Sequence, residues 1–178
     1  AVYIGAGTAI TPFHGDESAT ISMSRDWFRL TVGDFASMYL RLPPPDAGYA
    51  AEQFLRLQNG VISKYLIGLF WNVRGGTAEA LTPEWFWALD WDYNVQHGHY
   101  PPPDLLLTAR LSAAIPAALA AVVVFLIGLR LGGRKVAYPA VLIYALMPLV
   151  ALNGRRAMYE GALLLAASAV YAFVTRRR

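Results

Sequence analysis

The stretch that decides the fold is Leu111–Leu129, LSAAIPAALAAVVVFLIGL, an apolar run without a charged residue. At about 1.5 Å of helical rise per residue, its length of about 19 residues is close to the thickness of a bilayer's hydrocarbon core. Leucines before it extend the predicted helix to residues 105–131, and two further apolar runs predict helices over residues 136–154 and 157–175. The sequence therefore predicts an all-α integral membrane protein, a multi-pass bundle with three transmembrane helices in residues 105–178.

The composition of the 178 residues supports this class. Only 15% of the residues are charged and 56% are hydrophobic, whereas a soluble domain carries about 25% charged residues. The 13% of aromatic residues exclude intrinsic disorder, because so much apolar surface must be buried. The lack of cysteine excludes a disulfide framework and thiolate metal sites. A net charge of +3 without a basic patch gives no reason to expect a nucleic-acid partner.

The residues before the first complete helix divide into two predicted parts. Residues 1–13 are apolar, uncharged and without a starting methionine, so we interpret them as the outer end of a truncated first transmembrane helix in a fragment of a longer protein. Residues 14–104 hold all five tryptophans and amphipathic stretches such as Ser18–Leu30 and Val61–Trp71. Because indole rings favour the headgroup level of a bilayer, this part is predicted to be a loop with short interfacial helices that hugs the membrane.

Basic residues mark one side of the predicted bundle. They follow the first complete helix within residues 130–135 and follow the third as Arg176–Arg178, with no acidic residue among them. Cytoplasmic loops of membrane proteins are enriched in Lys and Arg, so both segments are predicted to be cytoplasmic. Residues 14–104 are then extracytoplasmic.

An acidic pair, Asp16-Glu17, follows the first apolar segment. A carboxylate held there, at the membrane surface, can accept a proton from a hydroxyl group, or it can bind a divalent cation. The alternative is structural, because acidic residues at the start of a helix cap it and interact favourably with its dipole. The pattern by itself leaves these roles open.

A second charged group, Arg155, Arg156 and Glu160, lies where the second complete helix meets the third. A pair between Glu160 and Arg156 would neutralise a carboxylate that is costly inside a membrane. Arg155 is then left as the candidate for an anionic ligand, because a guanidinium group binds phosphate bidentately. Arg110, near the outer end of the first complete helix, either snorkels to the interface or joins the same phosphate site.

Two weaker patterns concern metals. Asp90-Trp91-Asp92 has the Asp-x-Asp spacing with which many sugar transferases hold a metal ion, and His97-Gly98-His99 offers two imidazoles. The structural alternatives are acidic residues that flank an interfacial tryptophan and an ordinary polar loop. No cofactor is required by these patterns, and a divalent metal is left open.

Five segments follow one another along the chain: Asp16-Glu17, KYLIGL at 64–69, ARLSA at 109–113, GLRLGGRK at 128–135 and RRAMYEGALLL at 155–165. Taken in this order, they resemble the amino-terminal part of the protein O-mannosyltransferase family and of its bacterial relatives that transfer aminoarabinose to lipid A. In this family the motif before the Lys-Tyr-Leu helix is His-Pro-Pro-Leu, whereas Asn59-Gly60-Val61-Ile62 stands here.

The resemblance implies a membrane glycosyltransferase of the GT-C type in a prokaryotic plasma membrane. It implies that Asp16 is the catalytic base and Glu17 its partner. It also implies that Arg155, five residues before Glu160, meets the donor phosphate together with Arg156 or Arg110. The expected partners are a polyprenyl-phosphate-linked sugar as donor, membrane lipid, and a protein, lipid or glycan as acceptor.

The expected reaction moves the sugar to an acceptor hydroxyl on the extracytoplasmic side, with inversion at the anomeric carbon. A fragment of a secondary transporter is the main alternative, with Glu160 and Arg155 as an intramembrane pair along a substrate path. A non-catalytic membrane scaffold is a third. The long outer segment before residue 105 favours the transferase, because early loops of transporters tend to be short.

Overall fold

The protein is described by a computed structural model that covers residues 6–59 and 61–175, and the regular structure of these residues is entirely helical. The beginning of the predicted first span and the predicted cytoplasmic Arg176–Arg178 lie outside the described residues, as does Gly60 of the motif noted above.

Short helices make up the segment before residue 103. A break at Ser24 divides the amphipathic stretch predicted over Ser18–Leu30 into two helices, because the Ser24 hydroxyl donates to Ile21 O at 2.5 Å and competes with the helical hydrogen bonds. These helices are α1 (Gly15–Met23), α2 (Arg25–Thr31), α3 (Ala47–Gln58), α4 (Val61–Val73) and α5 (Trp91–Gln96), with a 3₁₀ turn at Ala36–Met38.

Helix α6 (Pro103–Gly132) is the longest helix of the described residues and contains the stretch from which the sequence analysis began. Its 30 residues span about 45 Å at about 1.5 Å per residue. Pro103 occupies the first turn, where no intrahelical N–H is required of it. Within residues 6–59 and 61–175, α6 is the one helix long and apolar enough, by length and composition, to cross a bilayer.

The second predicted span is interrupted. Helix α7 (Arg134–Leu146) ends before Met147, whose ψ of 123° is extended, and the six-residue α8 (Pro148–Asn153) starts at the proline. Pro148 has no N–H to donate and disfavours a helical conformation in the residue before it, which explains the break. The third predicted span is helical over α9 (Glu160–Val174), 15 residues, while residues 155–159 form turns and bends.

The apolar helices pack through small residues. Gly133, with φ of 67°, joins α6 to α7 in a tight hairpin. The two helices approach so closely that a Cβ on Gly128 would lie 2.6 Å from Ala137 Cα. Farther along the hairpin, the Tyr144 hydroxyl donates to Ala117 O at 2.9 Å. These contacts show that α7 runs antiparallel to α6.

Helix α9 runs parallel to α6 on another side. At one end a Cβ on Gly161 would lie 2.9 Å from Ala113 O, and at the other end Arg130 donates to Ala172 O at 3.0 Å. The predicted cytoplasmic residues 130–135 therefore lie at one end of the bundle, and the turn before α9 lies at the opposite end.

At this opposite end, the short helices that precede residue 103 share a hydrophobic core with α6. The buried residues of this core come from α1, α4, α6, the loop at Leu81 and the turn before α9. They are Ile21, Ile67, Leu81, Leu105, Leu106, Ala109 and Ala157, with Phe13, Phe28 and Trp71 packed against them. The outer segment is thereby fixed on the end of the bundle.

A buried carboxylate joins α2, α3 and α4. Asp26 is 1% exposed and accepts hydrogen bonds from Arg29 at 3.0 Å, from Arg56 at 2.8 and 2.9 Å and from Lys64 at 2.7 Å. Glu52 accepts from Arg29 and Arg56 beside it. Burial opposes ionisation of Asp26, but the hydrogen bonds from Arg56 and Lys64 outweigh it and lower its pKa from 3.8 to about 2.

This lowered pKa predicts how stability depends on pH. Because the folded protein binds the Asp26 proton more weakly than the unfolded chain, the contribution is fully present above about pH 4 and is lost as the pH falls through about 2. At about 1.4 kcal/mol per pKa unit it amounts to about 2–3 kcal/mol. In unfolding experiments in detergent, Asp26→Asn should lower stability at pH 7 and flatten the loss between pH 4 and 2. The exposed Asp92→Asn should do neither, and equal acid profiles for wild type and Asp26→Asn would contradict the prediction.

Candidate functional site

The site begins at the bend that precedes α1. His14 caps this helix: its Nδ1 accepts from Asp16 N at 3.3 Å, and its own backbone N–H donates to Glu17 Oε1 at 3.0 Å. Successive residues of a helix lie about 100° apart around its axis. Asp16 and Glu17 therefore face different surroundings, and they differ sharply in exposure.

Glu17 is fully buried and forms an ion pair with Arg110 of α6. The guanidinium group binds the carboxylate bidentately, with Nε–Oε2 and Nη2–Oε1 both at 2.8 Å. Arg110 is 3% exposed. Its Nη1 donates to Thr8 O and Thr11 O, each at 2.8 Å. Both charges are thus satisfied by protein atoms, as a buried pair requires.

This pairing bears on two roles expected from the sequence. A phosphate would have to displace Glu17 or backbone carbonyls to reach Arg110, so the geometry favours a positioning role for this arginine. Glu17 has its carboxylate engaged in the same way, which favours positioning over proton transfer. The sequence does not predict this pair, because the two residues are 93 positions apart. The sequence gives one indication of it, because each of the two charged residues stands close to an apolar run.

The same carboxylate holds the turn before α9. Ala157 N donates to Glu17 Oε2 at 3.0 Å, and Arg156 Nε donates to Pro12 O at 3.3 Å. Glu17 therefore brings together the first bend, the beginning of α6 and the turn that carries the other charged group. These segments carry the candidate base and the candidate phosphate ligands named in the sequence analysis.

Arg155 lies against the segment before the bend. A Cβ on Gly7 would lie 2.2 Å from both Nε and Cζ of Arg155, so the guanidinium group packs directly on the glycine backbone. Only a residue without a side chain permits this approach. Arg155 and Arg156 thus flank the segment of residues 7–12, one at each end.

Asp16 lies in an open cleft of about 740 Å³. Its side chain is 48% exposed, with His14 Nδ1 at 3.4 Å from Oδ2. The cleft is lined by Asp16 and Ala19 of α1, by Ala51, Phe54, Leu55, Gln58 and Asn59, by residues 84–88, and by Tyr159. Of these, Tyr159 and residues 84–88 were not singled out from the sequence. Arg155 and Arg156 are not among the described residues that line this cleft.

Glu160 begins α9 beside this cleft and interacts electrostatically with Asp16, Arg156 and His14. Its Oε2 is buried and, within the part of the chain that the structure describes, has no hydrogen-bond partner. Among the described residues Arg156 forms no ion pair with Glu160, because its Nε donates to Pro12 O instead.

The family model of the dolichyl-phosphate-mannose-protein mannosyltransferases matches residues 43–177. The chain belongs to this family. Searches of curated proteins and of solved structures gave no significant match. The mannosyltransferase match indicates a membrane-associated glycosyltransferase of the mannosyltransferase kind and gives no support to the transporter alternative.

The mannosyltransferase match does not cover the whole candidate site. Arg110, Arg155, Arg156 and Glu160 fall within residues 43–177, whereas the bend with Asp16 precedes them. Glu17 attaches the bend to the matched region through its contacts with Arg110 and Ala157, and the Ser18 hydroxyl adds a hydrogen bond to His99 O.

In the two sequence patterns that suggested a metal, Asp90, His97 and His99 each lie within hydrogen-bond distance of a backbone group. Asp90 caps α5 and accepts from Tyr93 N at 2.7 Å, and Asp92 is exposed in the first turn. The ring nitrogen Nδ1 of His97 lies 2.8 Å from Tyr93 O, and that of His99 lies 2.5 Å from Glu84 O. Over residues 6–59 and 61–175, no three His, Asp or Glu side chains come together in a way that could hold a metal ion.

The Glu17–Arg110 pair gives a stability prediction. Removing one partner leaves the other charge buried without compensation, so Glu17→Gln and Arg110→Ala should each cost about 3–5 kcal/mol. The double variant Glu17→Leu/Arg110→Met should lose less than the sum of the single variants, because no lone charge remains.

Thermal and denaturant unfolding in detergent measures these effects. The control is Arg25→Ala, which removes a half-exposed partner that lies 3.9 Å from Glu52 and should cost less than about 1 kcal/mol. Additive losses in the double variant would show that the two residues do not act as a pair.

Proposed function

We propose that this chain transfers a sugar from a polyprenyl-phosphate-linked donor to an acceptor hydroxyl on the extracytoplasmic side of the membrane. The observation that carries the proposal is that Glu17 holds the bend with Asp16 against the turn with Arg155 and Arg156. A candidate base and candidate phosphate ligands thereby come from two distant segments of a glycosyltransferase family member.

Asp16 is the proposed catalytic base. Its carboxylate is half-exposed in the cleft, so an acceptor hydroxyl can approach it and lose its proton as the oxygen attacks the anomeric carbon. Such proton transfer contributes about 10²–10⁴-fold to a rate. Glu17 and Arg110 position this base in the proposed mechanism, because they fix the helix on which it stands.

Arg155 and Arg156 are the proposed ligands of the donor phosphate. As the sugar–oxygen bond breaks, negative charge grows on the phosphate, and guanidinium groups stabilise it by charge-assisted hydrogen bonds. A lipid phosphate is a good leaving group, so no general acid is needed to expel it. A single displacement without a covalent intermediate inverts the anomeric carbon.

The bundle supports a membrane location for this chemistry. Large apolar side chains are exposed along α6, α7 and α9, among them Leu119, Leu142 and Phe173, and a bilayer or further apolar helices would cover them. The antiparallel α7 and parallel α9 are consistent with three passes. In the proposal the charged turn of residues 130–135 is cytoplasmic, and the site lies at the opposite end.

The role of Asp16 can be tested by Asp16→Asn in the full-length protein. Transfer of sugar from a polyprenyl-phosphate donor should fall by about 10²–10⁴-fold, while the dissociation constant of the donor changes little, because the amide keeps the shape of the cleft. Asp104→Asn, an exposed acid at the start of α6, is the matched control and should transfer normally. Normal transfer by Asp16→Asn would remove this residue from the mechanism.

The role of Arg155 can be tested by donor binding. Arg155→Ala should weaken binding of the polyprenyl-phosphate sugar by about 10- to 100-fold, the value of a charge-assisted hydrogen bond. Arg155→Lys should recover part of it, since the charge remains and the bidentate geometry does not. Arg134→Ala, exposed at the other end of the bundle, controls for charge alone. Unchanged affinity in Arg155→Ala would refute the phosphate contact.

A further inference from the structure

The wall of the Asp16 cleft is formed by a short loop that presents an exposed indole. Trp87 lines the cleft and is 63% exposed, whereas Trp85, two residues before it, is 9% exposed and packs within an aromatic cluster with Phe13 and Trp91. A large aromatic side chain left open in a concave, partly charged cleft has an available face for a ligand.

The loop is held rigidly by one buried amide. Asn94 is fully buried, and its side chain accepts from Phe86 N at 2.8 Å and donates to Phe86 O at 3.0 Å and to Asp90 O at 2.8 Å. On its other side, His99 Nδ1 lies 2.5 Å from Glu84 O, while His99 O accepts from the Ser18 hydroxyl at 2.7 Å. The loop is therefore anchored to α1, the helix of Asp16.

Gly15 places the indoles directly beside the proposed base. A Cβ on Gly15 would lie 2.7 Å from Trp85 Cγ and 2.8 Å from Trp87 Cζ2, so both rings touch the backbone next to Asp16. The Trp87 ring also lies 5.4 Å from the His14 ring, centroid to centroid. A ligand stacked on Trp87 is thereby held close to the Asp16 carboxylate.

The other residues that line the cleft indicate which kind of ligand could bind there. It offers carboxylates at Asp16 and Glu84 and amides at Gln58 and Asn59, and none of its described residues is Lys, Arg or His. The described lining residues therefore offer a phosphate group no arginine or lysine to bind. A ring with hydroxyl groups on its edge and C–H groups on its face matches it well, because carboxylates and amides bind hydroxyl groups and the indole face attracts the C–H groups.

We propose that Trp87 is a stacking platform for a sugar ring in this cleft, fixed by Asn94 and set beside Asp16. The proposal deepens the proposed function and rests on it for the source of the ring, which is either the donor sugar or a glycan acceptor. The cleft volume of about 740 Å³ lies in the range of about 300–1,000 Å³ usual for small-molecule sites.

Binding of free sugars tests the platform without any transfer reaction. Methyl glycosides of mannose, glucose, galactose and arabinose are titrated onto the full-length protein in detergent, with Asp16 intact, and followed by saturation-transfer NMR. The ring that binds best should lose about tenfold in affinity in Trp87→Ala, and Trp87→Tyr should recover part of the loss. Phe35→Ala is the matched control, because Phe35 is 48% exposed and does not line the cleft.

Two further titrations identify the source of the ring. If it belongs to the donor, Trp87→Ala weakens binding of a short-chain polyprenyl-phosphate sugar and leaves a mannose disaccharide unaffected. The reverse result assigns it to a glycan acceptor, and either result supports the platform. Asn94→Leu should weaken the same ligand as Trp87→Ala does, because it releases the loop.

The inference can fail separately from the proposed function. It is overturned if no methyl glycoside binds the wild type, or if Trp87→Ala leaves sugar affinity unchanged and alters only partition into phosphatidylcholine vesicles, as a headgroup-level tryptophan would. It is also overturned if Trp87→Ala weakens only a Ser/Thr-containing peptide. Loss of transfer in Asp16→Asn would stand in each of these cases.

Discussion

The buried ion pair between Glu17 and Arg110 is the constraint on which the site depends. Two charges removed from water are tolerated only when each is matched by a partner and by further hydrogen bonds. Here the guanidinium group satisfies the carboxylate bidentately, and backbone groups of Thr8, Thr11 and Ala157 complete the set. Because these partners come from four separate segments, the need to satisfy both charges fixes the segments relative to one another.

The sequence predicted the helices better than the contacts between them. Helix α6 follows from an uncharged run of bilayer length, and its packing on α7 and α9 follows from small residues such as Gly128 and Gly161. The break at Pro148 shows the limit of hydropathy alone. A run of apolar residues sets the environment of a segment, but a proline decides where its backbone hydrogen bonds must stop.

The candidate site was predicted as a set of residues and not as an arrangement. Asp16, Arg155 and Arg156 were singled out because their charges are unusual beside apolar runs, and that signal is local. Pairing is not local: Arg110 carries the same signal, yet its guanidinium group is bound by protein oxygens. Asn94 gave no signal at all, because an amide that fixes a loop looks like any polar residue until the backbone around it is known.

One helical geometry gives two adjacent acids different surroundings. Since neighbouring residues of α1 face directions about 100° apart, Glu17 turns to α6 and takes up Arg110, whereas Asp16 turns to the cleft. Because Glu17 takes up Arg110, the Asp16 carboxylate is left half-exposed in the cleft, as its proposed role requires.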